Sequence, residues 1–327
     1  MTVPVLRALM SQHPEVKITY ISRPFYRPFF EGIPNVTFFS FDEKKRHKGF
    51  LGLIRLFNDL QKLKIDAFAD LHNVLRSQVI RSMFSFSGKP VAAVDKGRAE
   101  KAALTRAENK VFVQLPTMFE RHAKVFEALG FAVDLTGPLF APKLKMDAAV
   151  TELAGEKNCK WIGIAPFAQY DSKVYPLDLM EKVVKALAEN KDYKIFLFGG
   201  GKKEQKLLDG LADGSTNVIN VVGKMGFEKE LALISNLDLM VSMDSGNGHI
   251  AALYGVKVVT LWGATHPFLG FAPFGQSLVN SLVSDRVQFP KLPTSVYGNK
   301  KITGYEDAMR SISVKDIIKK IETQLPS

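Results

Sequence analysis

Cysteine is nearly absent. The 327-residue chain carries only Cys159, so no intrachain disulfide can form and no cysteine-rich zinc site is available. A reducing compartment is the simplest home for such a chain. Long apolar runs are lacking too: no window approaches the roughly 18 consecutive apolar residues that a spanning helix needs. Residues 1–13 lack the basic-then-apolar order of a signal peptide and offer no lipidation motif. A soluble, cytoplasmic protein is therefore expected. Acid is scarce relative to base, with 33 Asp and Glu against 44 Lys and Arg and a formal net charge of +11. That balance favours acidic partners: nucleic acid, anionic lipid headgroups or phosphorylated small molecules. The six histidines show no metal spacing, with no HExxH and no His/Cys cluster. A P-loop, the Gly-rich dinucleotide fingerprint and a Gly-x-Ser-x-Gly elbow are all missing. No nucleic-acid-binding signature occurs either, so nucleic acid is not an expected partner.

Apolar residues make up 46% and charged residues 24% of the chain, which is ordinary globular usage. At roughly 150 residues per domain, the length implies two domains. Residues 17–22 (KITYIS), 36–41 (VTFFSF), 65–71 (IDAFADL) and 91–94 read as strands, and 25–31, 50–63 and 75–86 as helices. Five further apolar runs, at 161–166, 194–198, 218–222, 237–243 and 257–262, form a second strand series, with a helix over 177–189 entered through Pro176. Residues 137–145, which carry Pro138 and Pro142, read as the linker. The expected fold is α/β: two doubly wound, Rossmann-like domains, residues 1–145 and 146–327, facing across a cleft. The chain opens in a helix, residues 3–11, where a doubly wound domain would have a strand and turn first. An N-terminal truncation or a misplaced start is the expected reason. Two basic stretches, 44–48 and 96–110 (with Arg98, Lys101 and Arg106), read as solvated loops or as a rim for an anionic substrate or membrane surface.

Three segments could carry chemistry. In Met243-Asp244-Ser245-Gly246-Asn247-Gly248-His249 a strand ends and a helix begins. Ser245 can cap that helix, and unpaired amides at its start attract phosphate. Phe198-Gly199-Gly200-Gly201 also follows a strand and permits close backbone approach, with Glu204 one helical turn on. Lys173, in Asp171-Ser172-Lys173-Val174-Tyr175-Pro176, is a flexible point charge suited to neutralising a phosphate. All three follow strands of one sheet and should converge on one edge. His72, in Asp70-Leu71-His72-Asn73, follows a strand of the first domain.

At these residues the chain resembles glycosyltransferase family 9, the lipopolysaccharide heptosyltransferases. Asp244-Ser245-Gly246-Asn247-Gly248-His249-Ile250-Ala251-Ala252 is similar to the family's D-[ST]-G-x-x-H-[IL]-A-A segment. Gly263-Ala264-Thr265-His266-Pro267 is similar to its G-x-[TS]-x-P. Lys173 with Tyr175-Pro176, the turn from Gly199 to Glu204, Gly223-Lys224-Met225, and Asp70-Leu71-His72-Asn73 with Arg76-Ser77 extend the likeness over nearly the whole chain. The resemblance implies a GT-B fold and a donor, typically ADP-heptose, bound by the C-terminal domain. It also implies inverting transfer to a lipid A-linked or inner-core acceptor, with no cofactor and no bound metal. On this likeness Lys173 stabilises the leaving diphosphate, Glu204 meets the ribose or adenine, and Met225 lines the nucleotide pocket. Asp244, Ser245, Gly246 and His249 frame phosphates and sugar, and His72, Asn73 and Arg76 face the acceptor. The partners implied are a nucleotide sugar and an anionic glycolipid, with peripheral contact at the cytoplasmic face of the inner membrane. The family's Gly-Asp turn, whose aspartate is the usual candidate for catalytic base, has no counterpart here. The alternatives are a catalytically deficient sugar-nucleotide-binding protein and a member using another nucleotide sugar.

Overall fold

The computed structural model describes residues 1–325. The chain forms two compact units: Met1–Gly97 with Pro116–Leu139, and Arg98–Leu115 with the chain from Phe140 onward.

The first unit opens with α1 (Thr2–Gln12), whose Val5, Leu6 and Leu9 are fully buried. Strands β1 (Ile18–Ser22) and β2 (Val36–Ser40) pair in parallel, Ile18 opposite Val36. The segment between them, Pro24–Phe30, is helical as expected, in the 3-10 form. Pro24 opens the segment at a position that needs no donor, but Pro28 lacks the amide that would close the first i→i−4 bond within it, which disfavours an α-helical ladder in only seven residues. Next come α2 (Gly49–Gln61), β3 (Phe68–Asp70), α3 (Leu75–Phe86) and β4 (Val91–Ala93), with β3 and β4 parallel. The two ladders share no hydrogen bonds among the described residues. Leu53, Leu56 and Leu60 repeat at helical spacing along α2 and bury against Ile80 and Phe84 of α3. Phe84 stacks on Phe68 with ring centroids 5.0 Å apart.

Helix α4 (Arg98–Thr105) belongs to the second unit. Helix α5 (Met118–Glu127) belongs to the first, and its start is fixed by a reciprocal cap. The Thr117 hydroxyl accepts from the Glu120 amide at 3.1 Å, and Glu120 accepts from the Thr117 amide at 2.6 Å.

The second unit continues with α6 (Ala148–Ala154), β5 (Lys160–Ala165), α7 (Leu177–Glu189), β6 (Tyr193–Leu197), α8 (Gly201–Ala212), β7 (Val218–Asn220), α9 (Phe227–Ser235), β8 (Leu239–Met243), α10 (Gly246–Leu253), β9 (Lys257–Trp262), β10 (Ser281–Val283) and α11 (Val314–Gln324). The sheet is parallel throughout, in the order β10-β9-β8-β5-β6-β7. Chain direction reverses across the sheet at β5, so the β5–β8 junction is the topological switch point where ligands bind in such sheets. Near-continuous apolar strands fit a sheet covered on both faces. Met180, Val183, Val184 and Leu187 of α7 and Ile317 and Ile321 of α11 cover one face. The sixth strand, β10, was not anticipated: three residues at an edge, only partly buried, give no periodicity to read.

The basic stretch 96–110 corrects a further expectation. Lys101 is buried, with its ammonium 4.1 Å from the centroid of the Phe271 ring. Lys110 donates to the carbonyls of Leu104 (3.0 Å) and Pro293 (2.7 Å). Leu104 and Leu115 pack on Leu269. These two lysines build the second unit and do not form an open rim; Arg98 and Arg106 stay exposed.

Candidate functional site

The C-terminal ends of β5, β6, β8 and β9 open on one edge of the sheet, and the loops that follow them carry the candidate residues. Lys173 ends a 3-10 turn (Asp171–Lys173) in the loop after β5. Its Nζ lies 3.2 Å from Oδ2 of Asp244, at the end of β8. The same oxygen accepts from Thr265 Oγ1 at 2.9 Å, and Thr265 is 1% exposed. Lys173 is therefore pinned and partly buried, not the flexible point charge expected from its residue type. The pinning continues through its neighbour: the Ser172 carbonyl accepts from the Ala264 amide (3.0 Å), and Ser172 Oγ donates to the Gly298 carbonyl (2.6 Å). A Cβ at Gly263 would overlap the Ser172 carbonyl and the Met309 side chain, and one at Gly298 would press on the Lys173 stem. Tyr175 closes the loop, donating its hydroxyl to the Ile312 carbonyl at 2.8 Å. Burial pushes that hydroxyl up to about 12, so it remains a donor.

Ser245 occupies the N-cap position of α10 but makes no side-chain cap, which corrects the expected role. Its Oγ faces Ser242 Oγ at 3.1 Å. Ser242, fully buried in β8, donates to the Met243 carbonyl at 2.7 Å and accepts from the Gly248 amide at 3.1 Å. Ser242 is no candidate from the sequence, where its one signal is a hydroxyl inside an otherwise apolar strand. With the Gly248 amide taken by Ser242 and no cap from Ser245, the amides of Gly246 and Asn247 are what the start of α10 offers an anion. His249 sits in the next turn of the helix. Burial, with Lys173 adding to it, lowers its pKa to about 3, so the ring is neutral at pH 7. Its Nδ1 is buried with no hydrogen-bond partner among the described residues.

Glu204, in the first turn of α8, accepts from the Gly200 amide at 2.7 Å and holds the glycine turn. Met225 is half-buried in the turn after β7. Lys173, Asp244, Ser245, Gly246 and His249 thus share the β5–β8 switch point, whereas Glu204 and Met225 follow β6 and β7.

His72, Asn73 and Arg76 lie in the first unit, after β3. Asn73 adopts φ +45°, donates to the Val94 carbonyl at 2.9 Å and accepts from Gln78 at 3.0 Å, so it builds the turn. Buried Asp70 accepts from the amides of His72 (3.1 Å) and Asn73 (2.6 Å) and pairs with Arg81 at 3.2 Å. Burial and nearby Lys96 lower the pKa of His72, whose side chain reaches the surface. Arg76 donates to Glu43 at 2.8 Å and lines a cavity of about 710 Å³. Among the described residues no group of three or more His, Cys, Asp or Glu side chains is placed to hold a metal ion. None of the described helices is long and apolar enough to cross a membrane.

The model of glycosyltransferase family 9 (heptosyltransferase) matches residues 53–315. The chain belongs to glycosyltransferase family 9. This family 9 enzyme is 24% identical over 325 residues to the lipopolysaccharide core heptosyltransferase OpsX of Haemophilus influenzae, covering 96% of this chain and 90% of the relative. Among solved structures it resembles a family 9 glycosyl transferase from Veillonella parvula, with TM-score 0.73, 20% identity, and 99% and 92% of the two chains covered. It also resembles E. coli heptosyltransferase WaaC with ADP-2-deoxy-2-fluoro heptose, with TM-score 0.66, 18% identity, and 98% and 94% covered. The fold is that of the GT-B heptosyltransferases. This family 9 member is a glycosyltransferase of the lipopolysaccharide heptosyltransferase group.

Proposed function

We propose that this glycosyltransferase moves heptose from ADP-heptose, with inversion, to a hydroxyl of a lipopolysaccharide inner-core or lipid A-linked acceptor at the cytoplasmic face of the inner membrane. The observation that carries the reading is Lys173, fixed by Asp244 and Thr265 beside the uncapped start of α10. The acceptor oxygen attacks the anomeric carbon, the bond from that carbon to the diphosphate breaks, and the acceptor proton leaves to a base or solvent. Charge grows on the departing diphosphate, and a pre-placed ammonium and helix amides stabilise it without reorganising. Asp244 holds the ammonium through one oxygen already bonded to Thr265, which limits its repulsion of phosphate. His249, neutral, offers a hydrogen bond without adding charge. Met225 and the second oxygen of Glu204 supply the nucleoside side, and His72, Asn73 and Arg76 the acceptor side. The nucleotide sugar enters as substrate, and the reading requires no cofactor.

Calorimetric titration with ADP, UDP, GDP and CMP tests it. Selective ADP binding, weakened at least about tenfold in Lys173→Ala, is expected from loss of one charge-assisted contact. UDP or GDP selectivity would replace heptose with another donor sugar, and silence from the folded chain would end the nucleotide reading.

A further inference from the structure

The cavity beside Arg76 has walls of Phe50, Leu53, Leu75 and Val79 and a rim that includes Lys44 and Lys48. Phe50 is 67% exposed, Leu51 68% and Leu75 77%, at the starts of α2 and α3. Large apolar side chains left in water together mark a contact surface. The rim is built rigidly. Asp42 Oδ1 accepts from the amides of Lys44 (3.2 Å) and Lys45 (3.0 Å). Buried His47 stacks on Phe41, with centroids 5.5 Å apart and planes 3° from parallel. Arg46 is bidentate to Asp59, at 2.8 and 2.7 Å. A Cβ at Gly52 would overlap the His47 carbonyl, so α2 sits tightly against the loop. Every nearby acid is engaged: Asp42 by loop amides, Glu43 by Arg76 and Arg23, and Asp59 by Arg46 and Lys62. Lys44, Lys45 and Lys48 are exposed and make no ion pair among the described residues.

We infer that this rim docks the enzyme on an anionic bilayer, with Phe50, Leu51 and Leu75 entering the interface and Lys44, Lys45 and Lys48 meeting headgroup phosphates. A bilayer surface presents an anionic layer immediately above an apolar one, which matches bare apolar tips beside unpaired lysines. An acidic peptide or nucleic acid would satisfy the lysines and leave Phe50 and Leu51 in water. The inference gives the proposed membrane contact a surface, rests on that part of the reading, and is independent of donor identity.

Sedimentation with vesicles tests it, comparing phosphatidylcholine alone with a phosphatidylglycerol–phosphatidylcholine mixture. The wild type is expected to bind mixed vesicles at least about tenfold more tightly, with affinity falling as salt rises. Phe50→Ser with Leu51→Ser should weaken binding to mixed vesicles at least about tenfold, with an unchanged thermal melt and unchanged ADP affinity. Lys44→Ser with Lys48→Ser should weaken it and flatten the salt dependence. Undiminished binding by the Phe50/Leu51 variant would overturn the inference, as would no binding to either vesicle. Monomeric dihexanoyl phosphatidylglycerol binding as tightly as vesicles would overturn it in favour of a headgroup pocket. ADP titration of the same samples reads the donor assignment separately.

Discussion

Lys173 and Asp244 stand out in the sequence because their motifs are compact, but what positions them does not. Thr265 lies 21 residues beyond Asp244, and Gly298 lies 126 beyond Ser172, distances over which one chain gives no pairing signal. Lys173 thus looks like a free surface charge until tertiary contacts are visible. Thr265→Val removes a buried hydroxyl bonded to a carboxylate, and should cost about 1–3 kcal/mol in urea unfolding and weaken ADP binding through a looser Lys173. His266 offers a pH test at the same scale. Its Nδ1 accepts from the Phe268 amide at 3.1 Å, and burial, with Arg286 and Lys110, lowers its pKa from 6.5 to about 4. Between those values the unfolded chain holds a proton that the native ring refuses. Stability should fall as pH drops from 6.5 towards 4, with a slope from this group of at most about 1.4 kcal/mol per pH unit. His266→Asn, which keeps an acceptor for the cap, should flatten that slope; an unchanged slope would show that other groups set it.

At the scale of elements, the strands β5, β6, β8 and β9 were legible as apolar runs, because burial on both faces writes itself into composition. The edge strand β10 was not, since three partly buried residues leave no periodic signal; over Pro24–Phe30 a helix was legible, though not its 3-10 form. The glycines after β9 illustrate how elements are held together. Gly263→Ala places a methyl group against the Ser172 carbonyl and Met309, so the β5 loop must yield. Overpacking of this kind should cost about 1–3 kcal/mol and lower ADP affinity in the same variant. A stable protein with intact affinity would show that the loop moves freely, contrary to the packing described.

Across the whole molecule, the net charge of +11 was plain from composition, but its deployment was not. Part of the basic stretch expected at the surface, Lys101 and Lys110, is spent inside the second unit, whereas Lys44, Lys45 and Lys48 remain available. A surplus of exposed base should speed encounters with anionic ligands at low ionic strength. The association rate with phosphatidylglycerol vesicles, followed by stopped flow, should therefore fall steeply as salt rises from 0.05 to 0.5 M, a range over which the screening length shrinks from above to below about 10 Å. A rate independent of salt would mean that the surplus charge does not steer.

The segment Arg98–Leu115 belongs to the second unit although the chain on both sides of it belongs to the first. Three peptide junctions therefore join the units, and a fragment beginning at Phe140 would lack the leucines that cover Leu269. Inheritance feels the same constraint. A single crossover between two related genes cannot exchange one unit whole, because some of its packing always travels with the other parent. A clean exchange takes three crossovers, one at each junction.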